Sequence, residues 1–275
     1  MSKVKLTCFA DEISSELDEQ LDVLEQEGLK YLELRGVWGK NVLELNEDER
    51  NRIQTILAKR DFRISSIASP IGKYLITDPY EPQLQALDKA IFAAHFFDTP
   101  FIRIFSYRLP DNEPVEEYRD EVLHRLKLLT EAASRNNVIL ILENDSHVYG
   151  STDDCCLEIL AHCASRHMRA AFDPGNYVMN GVQPMREAFP KISPFIDYVH
   201  IKDATQEPRQ FVPAGVGEGH IEELLAELKE RQFNGFLSVE PHLKPYLPEA
   251  SDPERVVTAI RALKVLLEKV EQDWE

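Results

Sequence analysis

Short apolar segments of strand length alternate along this chain with segments in which apolar residues recur at helical spacing. Eight of each are present, and no linker, low-complexity stretch or tandem repeat separates them. The strand-like segments are continuously apolar, which is typical of parallel strands covered on both faces. They comprise residues 4–9, 30–35, 62–68, 101–105, 138–142, 169–172, 197–202 and 236–239.

Strands that alternate with helices form either a doubly wound open sheet or a closed barrel. The count of eight units and the length of 275 residues favour the barrel. We therefore predict an α/β protein with a single domain over residues 1–275, a (β/α)8 TIM barrel.

Capping and terminating residues set the predicted helix boundaries. Leu17 begins a helical pattern that runs to the helix-terminating Gly28, and Asn46 is a typical N-cap for a helix over 47–59. Ser151 or Thr152 is expected to cap a helix that ends near 165. Further helices are predicted over 82–97, 115–136, around 185–189, 221–231 and 253–270, with a long loop over 208–219.

The composition argues against several classes of partner. A formal net charge of −17 disfavours nucleic acid, because basic surfaces bind a phosphate backbone. No segment approaches the roughly 20 apolar residues of a membrane span, so no membrane partner is predicted. The N-terminal residues lack the apolar region of a secretory signal. The four cysteines form neither a disulfide framework nor a zinc motif, so we expect free thiols and a cytoplasmic location.

Charged or ionisable residues terminate four consecutive predicted strands: Glu143, Asp173, His200 and Glu240. Barrels carry their chemistry where strands end, and unpaired charges buried there would be costly. A shared divalent cation would resolve all four together, although any one of them alone is more often structural. Three carboxylates with one imidazole and no thiolate suit Mn²⁺, Mg²⁺, Co²⁺ or Fe²⁺, and Zn²⁺ is possible.

Strand alternation over 197–202 directs His200 and Lys202 to one face and Asp203 to the other. Lys202 could therefore contact a substrate hydroxyl or carboxylate, or form a salt bridge with Asp173 or Glu240. Asp203 could orient His200 or cap the following loop.

The motifs around these residues resemble those of the xylose isomerase-like TIM-barrel superfamily, which includes the sugar phosphate isomerase/epimerase family. They are ILEN at 141–144, FDPGN at 172–176, VHIKD at 199–203, SVE at 238–240 and the glycine-rich PAGVGEG at 213–219. The resemblance extends from the FADE segment at 9–12 over nearly the whole chain. Members of this superfamily include sugar isomerases, ketose 3-epimerases, inosose and 3-dehydroshikimate dehydratases, and DNA-repair endonucleases.

The resemblance implies that Glu143, Asp173, His200 and Glu240 are metal ligands, with Mn²⁺ the favoured ion. It also implies that Glu143 and Glu240 are the catalytic acid/base pair. A metal that bridges a substrate carbonyl and hydroxyl stabilises an enediolate, and two carboxylates can then remove and return a proton. Ketose 3-epimerases and the nucleases carry a histidine where this chain has Asn176, which argues against a nuclease; we expect Asn176 to contact substrate.

Several polar residues beyond the strand ends are further candidates for substrate contact. His147 follows the fifth strand, while Arg35, Lys73 and Arg108 follow early strands and could bind a phosphate or carboxylate. His147 could equally be an exposed loop residue, and each of the three cations alone is more often a solvated charge at the rim. His242 follows the last strand and is a weaker candidate, expected to support the site from beside its ligands. The glycines at 215–219 lack the spacing of a dinucleotide-binding loop, so no nucleotide cofactor is predicted.

We predict a divalent-metal-dependent isomerase or epimerase that acts on a sugar or sugar phosphate by removing a proton next to a carbonyl. The alternative is a metal-dependent dehydratase or lyase acting on a keto-cyclitol, 3-dehydroshikimate or a 3-keto-glycoside. A third hypothesis is a non-catalytic sugar-binding barrel. All three imply a small-molecule carbohydrate ligand, and a homo-oligomer is expected by family analogy alone.

Overall fold

A computed structural model of the chain describes residues 3–111 and 113–275. Eight parallel strands form its central sheet and alternate with helices, as the sequence predicts. We number these strands β1 Lys5–Cys8, β2 Tyr31–Leu34, β3 Arg63–Ala68, β4 Phe101–Ile104, β5 Ile139–Glu143, β6 Met168–Phe172, β7 Ile196–Ile201 and β8 Phe236–Val239.

The sheet curves into a nearly closed barrel. Its hydrogen-bonded order is β1-β8-β7-β6-β5-β4-β3-β2, and β2 returns to the side of β1. The predicted (β/α)8 TIM barrel is therefore confirmed. Parallel pairing keeps the strand ends level, since Cys8 pairs with Val239 and Val239 pairs with Ile201. The residues that follow these strands consequently meet at one end of the barrel, where such folds carry their sites.

Nine α-helices accompany the sheet within the described residues, and none of them is both long and apolar enough to cross a membrane. They are α1 Leu17–Gln26, α2 Glu47–Arg60, α3 Glu81–Phe96, α4 Val115–Arg135, α5 Asp153–Cys163, α6 Pro174–Met179, α7 Phe189–Ile192, α8 Ile221–Glu230 and α9 Asp252–Lys269. Short 3₁₀ turns lie at Ala10–Glu12, Val42–Glu44, Tyr149–Ser151 and Ser193–Phe195.

Side-chain caps fix the start of the helices that the sequence predicts. Asn46 accepts the backbone N–H of Glu49, and the Glu49 side chain accepts the N–H of Asn46, so a capping box begins α2. Thr152 rather than Ser151 caps α5, because its hydroxyl accepts the Cys155 N–H. Most predicted boundaries of strands and helices differ from the observed ones by one or two residues.

Two regions differ from the expected pattern. A helix that the sequence pattern does not predict, α6, starts directly after β6, because the Asp173 carboxylate accepts the Asn176 N–H and Pro174 suits the first helical turn. The helix expected around 185–189 is a π-helix, Pro184–Ala188, that continues into α7. Two hairpins project from the strand ends: Gly36–Val37 with Lys40–Asn41, and Asp203–Thr205 with Gln210–Val212.

An apolar layer fills the barrel beneath its carboxyl end. Ile141, Ala171 and Tyr198 are buried in this layer, and each lies two residues before one of the ionisable residues predicted at the strand ends. Strand side chains two residues apart point to the same face, so these three form the floor under the candidate site. Further rings and side chains pack against this floor: Phe101, Ile139 and Phe236.

An ion pair between a buried carboxylate and two more exposed cations joins the first and last helices of the outer layer. The Glu27 carboxylate accepts from Arg261 Nη2 at 2.7 Å and from Lys264 Nζ at 2.9 Å, and both cations lie on α9. Burial by itself would raise the pKa of Glu27, but hydrogen bonds and charges from these two cations lower it below its ordinary value. Glu27 follows α1 directly, so the ion pair links the C-terminal end of the first helix to the last helix.

Glu27→Gln should destabilise the protein by about 1–2 kcal/mol at neutral pH, because two cations lose their carboxylate while the exposed Arg261 remains solvated. Since the folded-state pKa of Glu27 is lowered, its stabilisation is complete above the unfolded-state pKa of about 4.3 and is lost as the pH falls through the folded-state value. Urea unfolding of both proteins across this range measures the difference. A difference that does not shrink in acid would contradict the ion-pair explanation.

Candidate metal centre

Four side chains from the ends of consecutive strands meet at the carboxyl end of the barrel. Glu143 ends β5, Asp173 follows β6, His200 lies near the end of β7 and Glu240 follows β8. Each offers one ligand atom such that all four atoms lie within 4.8 Å of one another. All four residues are buried, so water does not compensate their charges.

The donor atoms of this cluster fit a divalent cation. Neither ring nitrogen of His200 makes a hydrogen bond to the described residues, and Asp173 Oδ2 is likewise without a hydrogen bond in acceptable geometry. His200 Nδ1 instead faces the carboxylates, at 3.3 Å from Glu143 Oε1. Three carboxylates and one imidazole are suitable ligands for Mn²⁺, Mg²⁺, Fe²⁺ or Zn²⁺. These residues could therefore hold such an ion, and burial without one leaves polar atoms unsatisfied.

Two asparagines hold the acidic ligands in place. Asn144 forms a reciprocal pair with the backbone of Asp173, donating to its carbonyl at 2.8 Å and accepting its N–H at 2.9 Å. The Asn176 side chain donates to Glu143 Oε1 at 3.2 Å, and its backbone N–H donates to Asp173 Oδ1 at 2.8 Å. Asn176 also borders the cavity, so its predicted contact with substrate is compatible with this positioning role.

Each glutamate of the cluster is bound by its own arginine. Arg103 Nη1 donates to Glu143 Oε2 at 2.8 Å, and Arg35 Nη1 donates to Glu240 Oε1 at 3.1 Å. Both guanidinium groups also lie over the ring of Phe9, at 4.6 Å for Arg35 and 5.5 Å for Arg103. Sequence analysis missed Arg103, although an arginine inside the otherwise apolar strand β4 was a signal for a buried partner.

Lys202 lies within the acidic cluster, on the same face as His200, as strand alternation predicts. Its Nζ is 2.9 Å from Asp173 Oδ2 and 3.9 Å from Glu143 Oε1, and it donates to Glu240 Oε2. Both carboxylates that sequence analysis offered as ion-pair partners are therefore contacted. Lys202 also borders the cavity, so a contact with substrate remains open to it.

Nearby positive charges keep the two glutamates ionised. Burial would by itself raise the pKa of Glu143, but the charges of His200 and Arg103 outweigh it and hold the pKa well below its ordinary value. The cations around Glu240, of which Lys202 acts most strongly, have the same effect on its pKa. Both side chains are therefore carboxylates at neutral pH, which is the form that binds metal ions.

The other two members of the cluster respond differently to burial. Burial raises the pKa of Asp173 to about 7, although the ammonium of Lys202 opposes the shift. Burial by itself would lower the pKa of His200, but the carboxylates of Glu143 and Glu33 raise it to about 10. A metal ion that binds these residues must therefore displace protons.

Asp203 anchors the glycine-rich loop that follows the second hairpin. Its carboxylate accepts the backbone N–H groups of Gly215, Gly217 and Gly219 at 2.8–3.0 Å, and also that of Ala204. A Cβ atom on Gly217 would lie 2.4 Å from Asp203 Oδ1, so the loop needs glycine there. Of the two roles predicted for Asp203, these contacts correspond to capping of the loop.

The carboxylate beside Nε2 of His200 is not Asp203 but Glu33, a residue of β2 to which sequence analysis gave no role. Glu33 Oε2 lies 3.4 Å from His200 Nε2. Glu33 is buried, and Tyr198 also contacts it. Because Glu33 and Tyr198 are 165 residues apart, the local sequence gives no signal that β2 and β7 contact each other here.

A cavity of about 560 Å³ opens over the cluster, within the range typical of small-molecule sites. His147 and Lys73 border it, and Lys73 pairs with Asp145 at 2.7 Å. His242 also borders it, and its Nε2 lies 3.2 Å from Glu12 Oε1. The remaining lining includes the apolar side chains of Phe105, Met179 and Phe211 and the exposed cation Arg209.

Arg108 is the one predicted contact residue outside the described lining of the cavity, and its contact with substrate stays a prediction. Among the described residues that border the cavity, Arg108 is absent, and its side chain is exposed. The physical reason is the backbone of this segment, which is fixed in bridges with Leu75 and Val148 after the left-handed, buried Tyr107.

The fold and the cluster together define a class: a TIM barrel whose strand ends carry a site that can hold a divalent metal ion. The family model described as xylose isomerase-like TIM barrel matches residues 21–266. The chain therefore belongs to this family.

Individual relatives are distant. A 3-dehydroshikimate dehydratase from Bacillus anthracis is 21% identical over 178 residues, which cover 65% of this chain and 63% of that protein, less than two thirds of its length. The structure of a D-tagatose 3-epimerase-like protein superposes with a TM-score of 0.78 at 19% identity, over 98% of both chains. The IOLI protein with a bound zinc atom gives a TM-score of 0.78 at 17% identity, over 97% of this chain and 99% of that one. At such identities the two structures show the fold alone.

We expect the protein to bind one Mn²⁺ per chain and Asp173→Asn to weaken binding by more than about 100-fold, since loss of a ligand should exceed the 10- to 100-fold cost of losing an outer partner. Asparagine keeps the oxygen that caps α6 but lacks the charge. Calorimetry and the Mn²⁺-dependent rise in melting temperature measure the effect. Asp120→Asn, at a side chain that is 93% exposed on α4, is the matched control. Equal affinity of the Asp173 variant and this control would contradict the assignment.

Proposed function

We propose that the protein is a divalent-metal-dependent isomerase or epimerase that acts on a sugar or sugar phosphate by removing the proton next to a carbonyl. The observation that carries the proposal is the arrangement of Glu143 and Glu240. Both border the cavity, both belong to the four-residue cluster, and each is held by an arginine. Two carboxylates that face one small cavity can remove a proton at one position and return it at another.

The contacts of the two glutamates shape their chemistry. Arg103 and Arg35 hold Glu143 and Glu240 in place, and the surrounding cations, with His200 acting most strongly on Glu143 and Lys202 on Glu240, keep both ionised. Each can therefore accept a proton without first losing one. Their lowered pKa values also make them weak bases, so the substrate proton must be made more acidic. A divalent ion bound by the cluster would supply this acidity by polarising the substrate carbonyl as a Lewis acid.

Mn²⁺ is our proposal for the ion, because hard oxygen ligands with a single imidazole dominate the site. The zinc-bound structure of similar fold supports a divalent ion in general. The rim offers Lys202, Asn176, His147 and Lys73 to bind substrate hydroxyls or a phosphate.

Dehydration is the second candidate, because the curated relative carries the name 3-dehydroshikimate dehydratase. Loss of water from a β-hydroxy ketone starts with the same proton abstraction, and only the fate of the resulting enediolate or enolate differs. The cations around the cavity would also suit a substrate with a carboxylate. The third hypothesis, a sugar-binding barrel without activity, predicts binding with no exchange of substrate protons.

Three further expectations belong to this proposal. The four cysteines are free, which suits a reducing compartment such as the cytoplasm. The net charge of −17 disfavours nucleic acid as a partner. A homo-oligomer stays a prediction by analogy, which sedimentation or light scattering would test.

The Mn²⁺-loaded protein should exchange the proton next to the carbonyl of its substrate in deuterated water. We would incubate it with D-tagatose, L-ribulose and 3-dehydroshikimate and follow the reactions by proton NMR and ultraviolet absorption. Deuterium uptake with an inverted or moved hydroxyl indicates an epimerase or isomerase, whereas water loss indicates a dehydratase, and from 3-dehydroshikimate it would give the absorbance of an aromatic dihydroxybenzoate.

Glu143→Gln and Glu240→Gln should each lower the exchange rate by at least about 100-fold, since a positioned base contributes about 10²–10⁴ to a rate. Asp120→Asn serves again as the control and should retain the wild-type rate. Binding of one of these sugars with no exchange in the metal-loaded wild type would support the non-catalytic barrel and defeat the proposal.

A further inference from the structure

A buried carboxylate lies behind the candidate metal centre, on the side away from the cavity. Glu33 in β2 is 1% exposed and projects across the barrel interior towards β7. Its Oε2 lies 3.4 Å from His200 Nε2 and accepts a hydrogen bond from Tyr198 Oη at 2.9 Å. In residues 3–111 and 113–275, the only cationic group within ion-pair distance of Glu33 is the ring of His200.

The local fold directs Glu33 to this position. The pairing of β2 with β3 runs from Leu32 opposite Ile64 to Glu33 opposite Ser66, so Ser65 is an extra residue on β3. Such bulges re-aim neighbouring side chains and are common beside functional sites. The Ser65 hydroxyl lies in the same interior layer, 2.9 Å from Tyr198 Oη.

Aromatic packing fixes the plane of the His200 ring but does not determine which ring nitrogens carry a hydrogen. Phe9 and Tyr198 contact the ring edge-on, with centroids at 5.2 Å and 5.7 Å. Ring edges cannot determine which of the two nitrogens carries a proton. The two carboxylates beside the ring, Glu33 at Nε2 and Glu143 at Nδ1, together favour a hydrogen on both nitrogens. A metal ion held by the cluster would take the place of the hydrogen on Nδ1, whereas the carboxylate of Glu33 would keep the hydrogen on Nε2.

We propose that Glu33 is a positioning residue that holds His200 with its proton on Nε2 and its Nδ1 lone pair directed at the metal centre. The proposal rests on the metal centre of the proposed function. It adds the residue that prepares His200, the single nitrogen ligand, to bind the metal ion. Carboxylates behind metal-binding histidines fix the tautomer and strengthen the ligand, and their loss typically weakens metal binding by about 10- to 100-fold.

The test compares Glu33→Gln with Tyr198→Phe in the full chain. Glu33→Gln keeps the shape of the side chain but removes its charge, and it should weaken Mn²⁺ binding by about 10- to 100-fold in calorimetry. Tyr198→Phe removes a hydrogen bond from the same buried layer and leaves the carboxylate beside His200. It should therefore change Mn²⁺ affinity by less than about threefold, although it also destabilises the fold.

A second measurement reads the tautomer directly. Proton–nitrogen correlation spectra of the Zn²⁺-loaded protein, with ¹⁵N-labelled histidine, should show the His200 proton on Nε2 in the wild type and in Tyr198→Phe. His200→Gln would identify the signal by its loss. In Glu33→Gln the Nε2 proton should exchange faster with solvent, or the signal of the form with metal bound at Nδ1 should become weaker. Glu33→Asp retains the charge and provides the comparison if the glutamine variant does not fold.

The outcomes separate this proposal from the proposed function. Wild-type Mn²⁺ affinity and an unchanged spectrum in Glu33→Gln would overturn the role of Glu33 and leave the metal centre intact. Tight metal binding that depends on Glu33, without proton exchange on any sugar tested, would overturn the function and leave this proposal standing. A wild-type protein that binds no divalent ion would overturn both.

Discussion

Charge balance in the barrel interior is the constraint on which this structure depends. Three buried carboxylates and His200 place ligand atoms within 4.8 Å of one another, and a fourth buried carboxylate, Glu33, lies 3.4 Å from His200. Each carboxylate would be costly without a positive partner. Arg103 and Lys202 supply fixed charges to the cluster, and Arg35 supplies another from its edge. His200 lies between Glu33 and Glu143, with one ring nitrogen facing each carboxylate. Because these cations already occupy one side of each carboxylate, a metal ion would meet oriented ligands rather than free side chains.

The barrel imposes this arrangement through strand register. Parallel pairing brings the ends of β5 to β8 to one level, so residues far apart in the chain become neighbours. The apolar layer of Ile141, Ala171 and Tyr198 closes the barrel one step deeper and excludes water from below. On each of the strands that supply this layer, a residue that packs in the apolar layer is therefore followed two positions later, on the same face, by a residue of the candidate metal centre.

Sequence alone predicts the barrel and the four strand-end residues, because both depend on local patterns: apolar periodicity and a charge at the end of a strand. Arg103 escaped prediction because it lies within a strand rather than at its end, and its partner Glu143 is 40 residues away in sequence. Glu33 escaped because its partner His200 is distant in sequence and adjacent only through barrel closure. Asp203 left two roles open, since a strand pattern gives the face of a side chain but not the loop that folds onto it. Arg108 was expected at the site because it follows a strand, but it lies outside the described lining of the cavity, in a segment bridged to Leu75 and Val148.

Strands and loops contribute different parts of the candidate site, which explains how distantly related proteins of this fold can bear the names of different enzymes. The ligands of the cluster come from strand ends, whose positions the barrel fixes. The walls of the cavity come from loops: Arg209 and Phe211 belong to the hairpin beside Asp203, while His147 follows β5 and Met179 ends α6. Loops vary without disturbing the barrel, so one arrangement of strand-end residues can serve cavities of different shape. The four strand-end residues therefore do not determine which ligand this cavity accepts, and that selectivity depends on the side chains that the loops supply.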